Sequence, residues 1–156
     1  MLDRLLGLLG DGPGPAREAP SEQLAVALLL LELARSDFEV PQVELAKMRE
    51  LLAQRYQLDP AQVEDLMRQA QSSGHEAVSL YDYVQALNGR LDALAKRRLM
   101  EMLWQLAYAD GRLDKHEEYL LRKLAGLLYV SDEDYIRAKI AVEDSLQNPD
   151  SESHRG

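Results

Sequence analysis

"AYADGRLDKHEE", residues 107–118, reads as the end of one helix, a tight turn and the start of the next, with four carboxylates in nine positions. Gly111 can take the positive φ that a chain reversal needs, and Asp114 stands where a helix N-cap is expected. Glu117 falls three residues after that cap, where a carboxylate can reach back to the cap's own N–H in a capping box. Such a cap contributes about 1 kcal/mol. Capping accounts for Asp114 and Glu117 but not for Asp110, because an anion at a helix C-terminus opposes the macrodipole by a few tenths of a kcal/mol. A basic neighbour, water or a cation must offset it.

Hard cations take oxygen ligands, and this junction offers Asp110, Asp114, Glu117, Glu118 and turn carbonyls. The corner is therefore either a capped, solvated junction or a divalent-cation site. Calcium or magnesium suits the oxygen set best, with zinc or manganese as further candidates. An EF-hand is excluded by spacing, since its loop needs oxygens at alternate positions and a glutamate eleven residues after the first ligand.

Outward from the junction, apolar residues recur at three- and four-residue spacings and alternating runs are missing, which predicts an all-α, single-domain bundle of seven to eight helices. A short helix over 2–9 leads into a Gly/Pro-rich linker over 10–20. Ser21 caps a helix to about Ser36, Pro41 opens one to Tyr56, and Asp59-Pro60 opens one to about Ser72. Ser79 caps a helix ending at Asn88-Gly89, and Asp92 opens the one that carries Leu99, Leu103 and Leu106. Asp114 opens a helix to Tyr129, and Ser131 or Asp132 opens the last, to about Ser145. The domain thus spans 21–145, and the tail over 146–156, which holds almost nothing apolar to anchor it, is expected to be disordered.

The order of helices repeats. A shift of 73 residues lays Asp37 on Asp110, Val40 on Leu113, Glu44 on Glu117, Leu51 on Leu124 and Tyr56 on Tyr129. An internal two-fold repeat would bring two acidic junctions into one molecule. The first, "ARSDFEVPQVE", has Phe38 in place of the glycine and Pro41 in place of the cap aspartate, so its ligand set shrinks to Asp37, Glu39 and Glu44.

Composition excludes several classes. With 156 residues the chain suits one domain, and its 46% hydrophobic and 29% charged residues are those of a globular protein. A net charge of −9 disfavours a phosphate-backbone surface, so no nucleic-acid partner is expected. The lack of cysteine removes disulfides and thiolate chemistry and fits a reducing, cytoplasmic setting. The apolar run 24–34, "LAVALLLLELA", is too short to span a bilayer and contains Glu32, which suits a core helix.

"LWQLAYADGRLDKHEEYLLRKLAGLLYVSDEDYIRAK" resembles the TerB, or tellurite-resistance protein B, family, whose signature runs A-D-G-x-[VL]-x-x-x-E and is often present twice. The second copy matches at Ala109, Asp110, Gly111, Leu113 and Glu117; the first matches only at Asp37, Val40 and Glu44. A related domain forms the N-terminal part of the co-chaperone DjlA. The resemblance covers about residues 21–142 and implies an all-helical protein with an acidic face, suspected of binding divalent metal or of acting as a stress-linked, membrane-proximal sensor or scaffold. Tellurite resistance belongs to the founding operon.

Catalysis is not expected. His75, His116 and His154 fall in a loop, a first helical turn and the tail, and there is no phosphate-cradling glycine loop, H-E-x-x-H or nucleophile elbow. The expectation is a non-enzymatic cation-binding protein using Asp110, Asp114, Glu117 and Glu118, with Asp37 and Glu44. Its rival is a metal-independent protein-interaction or membrane-proximal scaffold. Basic residues at Arg90, Lys96–Arg98, Arg112, Lys115, Arg122 and Lys123 read as an exposed face of mixed charge, or else as one that orients such a scaffold on a partner or near anionic lipid. The segment 2–9 would give at most a weak membrane contact. Trp104, Tyr108 and Tyr129 stand at core-like spacings and are read as packing.

Overall fold

The computed structural model describes residues 21–35, 41–73, 80–111 and 113–147. Over these the chain forms seven helices and no strand: α1 (Glu22–Ala34), α2 (Gln42–Tyr56), α3 (Pro60–Ser73), α4 (Leu80–Asn88), α5 (Ala93–Ala107), α6 (Lys115–Leu127) and α7 (Asp132–Gln147). The N-terminal segment and linker (1–20), Asp37 and the end of the tail lie outside the described residues.

Helix α1 organises the rest. Its sequence is apolar on every side, and a helix with no polar face must be surrounded. It packs against α2, α3, α4, α5 and α6, and every residue from Ala25 to Ala34 is buried except Glu32. The run 24–34 is thus a core helix, and no described helix is long and apolar enough to cross a membrane. Helix α5 forms the second layer, packing on α1, α2, α6 and, most extensively, α7. The α5–α7 seam is aromatic: Trp104, fully buried, lies 6.1 Å from the Tyr108 ring and 5.2 Å from that of Tyr135.

The helix starts follow the capping residues. Ser21 accepts from the N–H of Leu24, Asp92 from Ala95 and Ser131 from Asp134. A reciprocal capping box does form, but at α3: Asp59 Oδ1 accepts from the N–H of Gln62 at 2.8 Å, and Gln62 Oε1 accepts from the N–H of Asp59 at 2.9 Å. The sequence reading placed it at Asp114/Glu117 instead. The ends also differ. Helix α7 continues to Gln147 rather than stopping at Ser145, so the first two residues of the expected tail are helical.

Helices α2 and α6 begin alike but end one residue out of step. Gln57 and Tyr129 are the two non-glycine residues with positive φ among the described residues, at 54° and 57°. Each closes its helix: the N–H of Leu58 bonds to Ala53 O, and that of Val130 to Ala125 O. Tyr129 therefore matches Gln57 in position, not Tyr56. The two tyrosines consequently have different fates. Tyr56 donates its hydroxyl to Glu22 Oε2 at 2.8 Å and ties α2 to α1, whereas Tyr129 is 77% exposed. Reading Tyr129 as core packing was wrong, because its left-handed conformation turns it off the apolar stripe of α6.

Candidate acidic site between α2 and α6

At the second junction α5 ends with Tyr108 as its C-cap, and Gly111 takes φ 87°, as the chain reversal requires. No heavy atom lies within 4 Å of a Cβ built there, so its backbone angle, not crowding, selects glycine. Asp114 caps α6, its Oδ1 accepting from the N–H of His116 at 2.8 Å. Alanine at position 114 is expected to lower stability by about 1 kcal/mol, read as a shift in the urea midpoint at constant slope.

Glu117 does not cap. It is buried, with 5% of its surface exposed, and it hydrogen-bonds the side chain of Glu44, itself 6% exposed. The sequence explains why both turn inward. Glu44 precedes Met48 and Leu51, and Glu117 precedes Leu121 and Leu124, by four and seven residues, so each glutamate continues the apolar stripe of its helix. Each also stands three residues after its helix's N-cap position, Pro41 in one case and Asp114 in the other. The two are the only buried charged residues among those described. Reading the stripes, rather than the caps, would have found them.

A buried carboxyl beside another acid is disfavoured in its charged form. Burial above all, then the hydrogen bond that protonated Glu117 donates to Glu44 and the negative charges of Glu44, Asp110 and Asp114, push the Glu117 carboxyl up to about 9. Such a pair titrates as a unit and keeps one proton between its oxygens at neutral pH. The Oε2 atom of Glu117 is buried with no hydrogen-bond partner. A buried oxygen left without a partner is costly.

Of the six residues singled out in the sequence, Glu44 and Glu117 meet directly. Asp110 and Asp114 act on Glu117 through their charge, and Asp37 lies outside the described residues. Glu118 is elsewhere: it pairs with Lys139 Nζ at 3.9 Å on the α7 side of α6. No group of three or more carboxylates or histidines is already arranged to hold an ion among the described residues. His116 is exposed, and its backbone N–H serves the Asp114 cap.

Residues 23–140 match the family model described as "Tellurite resistance protein TerB". Comparison with curated proteins returned no match. Among solved structures, a crystal structure of a protein of unknown function from Porphyromonas gingivalis W83 is similar in fold. Its TM-score is 0.59 at 18% identity, covering 82% of this chain and 99% of that one.

Proposed function

Since the chain belongs to the TerB family, we propose that it is a non-enzymatic protein that binds a divalent cation between Glu44 and Glu117, with Asp110 adding negative charge. The observation that carries this reading is the buried, unpartnered Oε2 of Glu117 inside a carboxyl pair. A cation would take the place of the shared proton and supply the missing partner for that oxygen. The donors are all hard oxygens, which suits calcium or magnesium ahead of zinc or manganese. Calcium fits better, because it tolerates irregular coordination and accepts turn carbonyls and water for the ligands the pair does not provide. A role in tellurite resistance or stress response rests on the family name alone.

Calorimetric titration of the chelator-treated protein with calcium, magnesium, manganese and zinc tests the proposal. Calcium or magnesium is expected to bind more tightly than about 1 mM, with heats that vary with the buffer's ionisation enthalpy because protons leave the pair. The Glu44→Gln/Glu117→Gln double variant should lose that binding. No heat from any of the four ions, or undiminished binding in the double variant, would sink the reading.

A further inference from the structure

On the opposite side of α6 from Glu117, a groove of about 350 Å³ opens between α6 and α7. Beneath it lie the buried rings of Trp104 and Tyr135, 0% and 3% exposed, and its rim carries Tyr119 and Ile136, 74% and 41% exposed. Two cations lie over those rings: the Arg122 guanidinium stands 4.9 Å from the Tyr135 ring centroid and Lys139 Nζ 5.4 Å from that of Trp104. Glu118 is the one acid lining the groove, and Lys139 lies 3.9 Å from it. The outward face of α6 continues the charge, with Lys115 and Lys123 exposed beside Tyr119 and Arg122. In a chain of net charge −9 this is a local reversal of sign.

Gly126 lies on that same face, three and four residues beyond Lys123 and Arg122. A glycine inside a helix costs about 1 kcal/mol relative to alanine, and a fold retains one for positive φ or for crowding. Neither applies. Among the described residues Gly111 is the glycine with positive φ, and a Cβ at 126 would meet nothing within 4 Å. The bare backbone leaves room for something outside the fold to approach closely.

We propose that the outward face of α6 and its groove against α7 dock an acidic segment of a partner protein, which lays one aromatic or large aliphatic side chain between Tyr119 and Ile136, above the buried rings of Trp104 and Tyr135. Charge complementarity selects the partner: its carboxylates meet Lys115, Arg122, Lys123 and Lys139, and its apolar anchor fills the cleft. A lipid surface is a poorer complement, since an anionic bilayer is repelled by the rest of a chain of net charge −9.

Trp104 is the protein's single tryptophan and lies beneath the groove with Lys139 over its ring, so its emission responds when carboxylates draw on that lysine. The full chain is titrated with a short Asp/Glu peptide carrying one phenylalanine, with the same peptide carrying alanine, and with phosphatidylserine vesicles. The phenylalanine peptide is expected to saturate the Trp104 signal, and the alanine peptide to bind about tenfold or more weakly. Arg122→Glu should weaken the phenylalanine peptide by a similar factor. Gly126→Leu should do the same while keeping or raising the melting temperature, since its side chain enters open space. Equal binding of the two peptides, no saturation by about 1 mM, or unchanged affinity in Gly126→Leu would overturn the proposal. So would vesicles binding in preference to peptide, or a Trp104 signal that changes with protein concentration alone.

Discussion

Glu117→Gln is expected to stabilise the chelator-treated protein at pH 8 by about 1–4 kcal/mol, and to flatten the fall in stability expected of the natural protein between pH 5 and 8. The sign follows from the direction of the shift. Burial and the neighbouring acids raise the folded-state value of Glu117 from 4.5 to about 9, so the native state holds a proton that the unfolded chain has released. Stability is therefore fully present below about 4.5 and declines as pH rises toward about 9. Glutamine keeps the shape and a donor for Glu44 without needing a proton, and so escapes that decline. Difference curves between variant and natural protein, from urea melts across the pH range, isolate this one group. A destabilised variant with an unchanged pH slope would mean that Glu117 is charged and satisfied in the fold. A saturating divalent cation should reverse the order of stability, since only the natural protein would gain from it.

The second large effect belongs to α1. Leu29→Ala is expected to cost about 2–5 kcal/mol, because the side chain is fully buried in a helix enclosed by five others and the cavity cannot collapse onto solvent. Glu32→Ala, one turn on but on the helix's one exposed position, should change stability by no more than about 0.5 kcal/mol. Thermal or urea unfolding of the two variants side by side distinguishes a central helix from a peripheral one.

That contrast shows why the fold was legible and the site only half so. The helix starts were written in local chemistry: Ser21, Asp92, Asp114 and Ser131 each accept the N–H that a cap must accept. The run 24–34 could only be a core helix, and it is. Tyr129 misled because spacing cannot reveal that a residue sits at a left-handed helix terminus, where the side chain leaves the stripe. At the acidic junction, the four carboxylates of 110–118 looked like one cluster because they are close in sequence. A helix separates them by angle. Glu117 turns inward to Glu44, Glu118 turns toward Lys139 and α7, and Asp114 stays at the cap. The contact between Glu44 and Glu117 joins residues 73 apart and depends on how α2 and α6 pack around α1, which no local pattern specifies.

The account depends on two glutamates from different helices facing one another in the core. Carbon-13 NMR of the Glu44 and Glu117 carboxyls in the chelator-treated protein, titrated from pH 4 to 10, observes this directly. One of the two carboxyls should still hold its proton at pH 7, and the signals should move together as it leaves. Two carboxyls that each ionise near 4.5, independently of one another, would contradict the buried pair and with it the cation site built upon it.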